Sequence, residues 1–338
     1  MRNEQTINNL TLFIILAMLL ALLYWVNAFA VSIDITTSSL ASFFTIFLSL
    51  FLEAIPFILA GVIISGVIQV FVTAEHIQRL IPKNKFIAIV SSCTLGAIFP
   101  ACECGIVPII RRLLLKGVPL YAAVGFMLTG PLINPLVLFS TYMAFGQEWH
   151  MAIMRGLLGF VAAIMISLLV CRLFRKNELK ISRETFVQQD TAPSKNISLY
   201  NRLFAMTQHS INEFFQMSKF FIIGALLAAG VQTYLSSSSF FLFGESFVAL
   251  TVVMMVVAYV LSLCSEADAF IAASFKQFVP GSSLLAFLIY GPMLDLKNTF
   301  MLGAVFKLRF VIVLMFLITI VVFGIVLAYE LLFVGGAL

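Results

Sequence analysis

Two groups of helix-breaking, chemically active residues interrupt apolar sequence of membrane length: Pro100-Ala101-Cys102-Glu103-Cys104-Gly105 and Thr129-Gly130-Pro131-Leu132-Ile133-Asn134-Pro135. Lipid offers backbone groups no hydrogen-bond partner, so irregular backbone survives at that depth only where protein or an aqueous cavity surrounds it. Thiols, a carboxylate and an amide at such breaks point to a binding site inside the membrane, as in a transporter.

The rest of the chain agrees. Of the 338 residues, 62% are hydrophobic and 10% charged, against about 25% charged in soluble domains. The expected fold class is an all-α polytopic membrane protein in contact with the lipid bilayer. The net charge of +5 is scattered through connections, without the dense basic tract that binds nucleic acid, and that class of partner is excluded. The five cysteines, Cys93, Cys102, Cys104, Cys171 and Cys264, are odd in number and lie in apolar segments; this argues against an extracellular disulfide framework. No His-rich metal site, cofactor motif or phosphate loop of the Gly-x-x-x-x-Gly-Lys-(Ser/Thr) kind is present.

Apolar runs of about 20 residues are long enough to span a bilayer. They place crossings at 10–31, 43–71, 119–145, 151–174, 210–235, 282–302 and 305–330. The first, behind Met1-Arg2-Asn3-Glu4, exceeds the core of a cleaved signal and reads as an anchor helix, residues 1–31. Residues 86–116 and 246–279 read instead as helix, break, helix, with the breaks at Pro100–Gly105 and Cys264-Ser265-Glu266-Ala267-Asp268. Residues 175–209, polar and without an apolar face, read as a flexible linker between a first repeat (43–174) and a second (210–330).

Basic residues give the orientation. Most of the twenty lie in 72–85, 111–116, 172–202 and at Lys307 and Arg309, whereas 32–42, 146–150, 236–245 and 331–338 hold none. By the positive-inside rule the first set is cytoplasmic, the amino terminus is cytoplasmic and the carboxyl terminus external.

The halves repeat. Phe51, Phe57, Gly61 and Gln69 match Phe214, Phe220, Gly224 and Gln232 at a separation of 163 residues. Pro119, Phe126, Gly130, Pro131 and Asn134 match Pro280, Phe287, Gly291, Pro292 and Asp295 at 161, a shift that sets Cys102-Glu103-Cys104 over Leu263-Cys264-Ser265. With 43–71 and 210–235 crossing in opposite directions, the expectation is two inverted repeats with broken or re-entrant helices. Secondary transporters bind solute at the interface of such repeats.

The Pro-x-Cys-x-Cys-Gly stretch, Thr-Gly-Pro-x-x-Asn-Pro, Ser265-Glu266-Ala267-Asp268-Ala269-Phe270 and Gly291-Pro292-Met293-x-Asp295 resemble the bacterial predicted-permease family that includes the trivalent organoarsenical efflux permeases. The resemblance covers roughly 43–330 and implies a multi-pass permease of the bacterial inner membrane. For a subset of that family it further implies export of arsenicals.

The residues carry candidate chemistry of their own. Cys102, Cys104 and Cys264 would supply three soft sulfur ligands to a thiophilic solute, a metalloid or a soft metal; the alternative is packing, as for Cys93 and Cys171. Glu103, Glu266, Asp268 and Asp295 are ionisable groups at membrane depth, where they commonly mark ion paths, and Asp268 with Asp295 is the preferred pair for a coupling proton. Asp295 could alternatively pair with Lys297, although residues two apart on a helix do not face each other. Glu103 and Glu266 could also sit wet at hairpin tips. Asn134 and the carbonyls freed near Gly130-Pro131 and Gly291-Pro292 would line the path, or merely shape a kink. A small-molecule or metalloid substrate follows, and a homo-oligomer is compatible with the sequence. A membrane thiol-redox protein and an integral subunit of a larger complex are the other readings.

Overall fold

The computed structural model describes residues 37–71, 82, 84–99, 102–174, 178–180, 199–234 and 246–335. The anchor helix expected at 1–31, Pro100-Ala101 and the connection at 236–245 lie outside them. Among the described residues, twelve α-helices follow in two sets of six. In the first half these are α1 (Thr37–Phe71), α2 (Lys85–Ile98), α3 (Glu103–Leu115), α4 (Leu120–Ile133), α5 (Pro135–Ala144) and α6 (Trp149–Leu173). The second half has α7 (Leu199–Tyr234), α8 (Phe247–Leu261), α9 (Ala267–Ser274), α10 (Gly281–Met293), α11 (Leu296–Val305) and α12 (Leu308–Tyr329). Five helical segments are long and apolar enough to cross a membrane, α4 and α5 counting together as one. The chain is an all-α polytopic membrane protein.

One break separates α2, ending at Ile98, from α3, starting at Glu103, and another separates α8, ending at Leu261, from α9, starting at Ala267. In both, the following helix begins a residue or two before the bound the sequence gives, Gly105 and Asp268. Two of the expected spans carry an interruption of their own, 119–145 while still forming one membrane-length segment. Residues 119–145 divide at Asn134, which is extended (φ −61°, ψ 152°) because Pro135 behind it disfavours the helical region. Residues 282–302 divide at Leu294 and Asp295, both extended. Each half therefore has two interruptions, and α3, α5, α9 and α11 all start at one. Helices α3 and α9 start at Glu103 and Ala267, 164 residues apart, within one residue of the 163 that relates α1 to α7 and that sets Glu103 over Glu266.

The inversion is visible in the packing. Phe43 touches Gly230 near one end of the α1–α7 pair and Gly66 touches Met206 near the other, so the first helices of the halves run antiparallel. The last helices do likewise: Phe174 packs edge-on against Phe310, while His150 lies 3.5 Å from the Tyr329 hydroxyl.

The same contacts define two ends of the molecule. At one, Arg111 and Leu115 lie beside Leu179, Ala304 and Val305. At the other, Lys276 pairs with Glu148 at 3.2 Å, next to a turn whose Gly146 and Gln147 have positive φ. Part of the expected linker is tied down at the Arg111 end. Leu179 bridges to Phe306, the Lys180 N–H donates to the Val305 carbonyl, and Lys307 pairs with Glu178 at 3.2 Å. Helix α7 also begins inside 175–209.

Candidate functional site

Three acidic residues sit where half-helices begin, for a reason rooted in local structure. Glu103 opens α3 and Asp268 lies in the first turn of α9. Asp295 is the N-cap of α11, its Oδ1 accepting from the Asn298 N–H at 2.6 Å. The first turn of a helix carries unpaired N–H groups and the positive end of its dipole, which favour a carboxylate. Asn134 does the neutral equivalent on α5: its Oδ1 accepts from the Val137 N–H at 2.9 Å and its amide donates to the Gly130 carbonyl at 3.3 Å.

Two buried cations answer these acids. Lys297 Nζ lies 3.7 Å from Asp295 Oδ2 and 4.0 Å from Glu103 Oε1. The helical spacing rule that argued against a Lys297–Asp295 pair does not apply, because Asp295 is extended (φ −133°, ψ 173°) and precedes the helix. Arg155, fully buried in the second turn of α6, donates from Nη1 to Thr141 Oγ1 at 2.8 Å and from Nη2 to the Ser265 carbonyl at 3.1 Å. Its charge lies within electrostatic reach of Asp268. Asp268 in turn presses against Gly291, where a β-carbon would come within 2.8 Å of its Oδ2. Of the preferred pair of acids, Asp295 is thus paired with Lys297, whereas Asp268 feels the charges of both Arg155 and Lys297 without forming an ion pair with either. Glu103 is buried rather than wet; Glu266 is half-buried and caps α9 without a side-chain bond.

The thiols converge on the same place. Cys102, Cys104 and Cys264 line one narrow cavity with Glu103, Lys297 and the α1 residues Leu50, Glu53, Ala54 and Phe57. Cys102 and Cys104 are within hydrogen-bonding reach of each other. All described cysteines are free thiols, and no group of three His, Cys, Asp or Glu side chains among the described residues has a metal-holding arrangement. The cavity measures about 10 Å³, room for one water. Glu103 Oε2, Arg155 Nε and Asp268 Oδ2 lack hydrogen-bond partners, as buried polar atoms rarely do unless a further group serves them. Cys93 packs against Ser167 and Gly125, away from this centre, and Cys171 lines a surface groove. Gly130 and Pro131 are buried in α4, and Pro292 in α10 beside Gly291.

The comparisons with known proteins bear on this constellation. Residues 39–331 match the family described as "Predicted permease". The chain belongs to that permease family. The UPF0718 protein YcgR of Bacillus subtilis is 48% identical over 285 residues, covering 84% of this chain and 96% of its own. A Streptococcus mutans protein named "Putative two-component membrane permease complex subunit" is 38% identical over 275 residues, 81% of this chain and 90% of its own. The UPF0718 protein MJ0584 of Methanocaldococcus jannaschii is 25% identical over 126 residues, 34% of each chain. No solved structure matches.

In this permease, sequence reasoning passed over three residues. Arg155 and Glu213 are charges inside apolar spans, Glu213 sharing its span with Lys219, and the rule applied to the acids at the breaks would have found them. Glu213 accepts from Ser65 at 2.8 Å and pairs with Arg112 at 3.2 Å and Arg111 at 3.7 Å, joining α7 to α1 and α3. Ser262 gave no signal. It stands at φ 48°, and its Oγ accepts from the Leu296 and Lys297 N–H groups, stitching the second break to the start of α11.

Proposed function

We propose that this permease is a secondary-active carrier of the bacterial inner membrane that exports a small thiophilic solute, with trivalent organoarsenicals as the leading class. The observation that carries the reading is the meeting of Cys102 and Cys104 from the first half with Cys264 from the second around one buried cavity, beside Glu103 and Lys297. Thiols are chosen by soft, thiophilic species, and a monomethyl arsenic(III) dihydroxide can exchange its two hydroxyls for two of them, the thiol protons leaving with the hydroxyls as two waters, while keeping its carbon. Asp268 or Asp295 carries the coupling proton, since each sits at a half-helix start beside a buried cation. The Arg111 end is cytoplasmic and the Glu148 end external, with a cytoplasmic amino terminus.

The test is flux into proteoliposomes containing only this chain, with a panel of trivalent and pentavalent organoarsenicals, thiols and soft metal ions. Saturable transport of a trivalent arsenical under an imposed pH gradient supports the reading. Transport of none of the panel's thiophilic members by an intact chain rules it out. One observation favours a second reading, the name of the Streptococcus relative: this chain is one subunit of a permease complex. Flux that appears only after a partner membrane protein is added to the same vesicles would select it.

A further inference from the structure

The α1–α7 pair obeys the repeat symmetry, and its seat on the rest of the molecule does not. Shifting the Phe43–Gly230 contact by 163 residues carries it to Val67 and Met206, one residue from the Gly66–Met206 contact actually present. The pair is thus close to two-fold symmetric in itself. Yet both members lean towards the Arg111 end. Gly61 of α1 lies against the backbone of Gly105 in α3, where a β-carbon on Gly105 would come within 2.7 Å of the Phe57 carbonyl. Further along, Ser65 Oγ is 3.4 Å from the Pro108 carbonyl. Gly224 of α7, the repeat counterpart of Gly61, lies against the backbone of Lys297 in α11. By symmetry α7 should also have a seat on α9, and α1 on α5. Among the described residues neither pair packs comparably.

Burial records the same imbalance at equivalent positions. Val107 of α3 is 0% exposed, and its counterpart Phe270 of α9 is 56% exposed; Lys297 of α11 is 3% exposed, and its counterpart Leu136 of α5 is 57% exposed. The vacant faces are apolar, so a helix can dock there without stranding a polar group. The occupied seat alone has an ionic fastening, Glu213 to Arg111 and Arg112; the counterparts are Leu50, Ser274 and Phe275.

We propose that α1 and α7 travel as one unit between two seats, the described one on α3 and α11 and a second on α9 and α5, with the Glu213–Arg111–Arg112 cluster as the latch on the first. Exchanging the arrangements of two inverted repeats generates the opposite state of a carrier. A packed interface changes by moving between discrete arrangements rather than by gradual deformation. The motion has a purpose at the site. Leu50, Glu53, Ala54 and Phe57 of α1 form one wall of the thiol-lined cavity, so sliding α1 parts a site that in the described seat has room for a single water only. The inference rests on the carrier reading but not on the identity of the solute.

Disulfide trapping tests it on the full chain in native membranes. Ser65→Cys with Pro108→Cys reports the described seat. Its repeat image, Ala228→Cys with Ile271→Cys, reports the second, and each single variant serves as background. Disulfide-linked peptides are counted by mass spectrometry after mild oxidation. Both pairs are expected to link, and adding Glu213→Gln should raise the 228–271 yield several-fold at the expense of 65–108. A 65–108 link with no 228–271 link above background, with or without Glu213→Gln, overturns the proposal. Because no solute enters the measurement, a 228–271 link alongside absent arsenical flux would leave this inference standing and remove only the substrate assignment.

Discussion

Lys297 Nζ stands 4.0 Å from Glu103 Oε1, and that pair joins a break in one repeat to a break in the other. Both groups are almost fully shielded from solvent. Removing one partner of such a pair leaves an uncompensated buried charge and costs about 3–5 kcal/mol. Lys297→Met should therefore lower the thermal midpoint of the detergent-purified protein sharply, and the double variant Lys297→Met/Glu103→Gln should regain a large part of the loss. Equal midpoints for the single and double variants would show that the two groups do not interact.

The thiols separate by position. Cys102→Ser or Cys104→Ser should abolish transport of a thiophilic solute while the protein stays in the membrane at its normal level. Cys171→Ser, altering a groove far from the cavity, should keep nearly full flux. Comparable activity in all three variants would assign the cysteines to packing.

Asp268 and Asp295 divide the coupling question. A fixed charge near the bilayer centre costs about 2.5–3.5 kcal/mol on insertion scales, and Asn keeps the shape without the charge. Asp→Asn at the coupling site should stop uphill transport driven by a pH gradient and spare exchange between equal solute concentrations. If both variants retain pH-driven transport, neither residue carries the proton.

Arg155 holds Thr141 and the Ser265 carbonyl through two separate guanidinium nitrogens. Leaving a buried acceptor unpaired costs about 1–3 kcal/mol. Arg155→Met should destabilise the protein by more than one such increment, and Arg155→Lys by less, because the charge beside Asp268 persists while the planar fork is lost. Thermal unfolding of the three proteins side by side checks the order; Lys no better than Met would mean that charge contributes nothing there.

Two ion pairs mark the two ends of the molecule and make the proposed sidedness testable. Single cysteines replacing Glu148 and Lys276 should react with an impermeant thiol reagent from outside intact cells, whereas cysteines replacing Glu178 and Lys307 should react only after permeabilisation. External labelling at 178 or 307 would reverse the orientation.

Much of this architecture could be read from residues alone, and the failures have local causes. Pro100 and Gly105 around Cys102 announced one break because they disturb helices by their own covalent geometry, and the polar run Cys264-Ser265-Glu266-Ala267-Asp268 announced the other by interrupting apolar sequence. The break at Leu294-Asp295 was less visible: Asp295 terminates one helix and caps the next through a bond to Asn298 that no hydropathy window registers. Lys297 was discounted by a rule valid only inside a helix. Arg155 meets Ser265 from far along the chain, and only the folded packing of the halves brings them together. The Leu179–Phe306 bridge escaped notice for the same reason, since polar composition says nothing about where a strand-like segment finds its partner.

Helices α3, α5, α9 and α11 all begin near the centre of the molecule, with the N–H ends of their main chains turned towards the breaks. That polarisation belongs to the backbone, and no side-chain substitution removes it. Add Arg155 and Lys297, and the bare scaffold would favour negative charge at these starts. Glu103, Asp268 and Asp295 supply that charge from the chain itself, where the main-chain field is strongest.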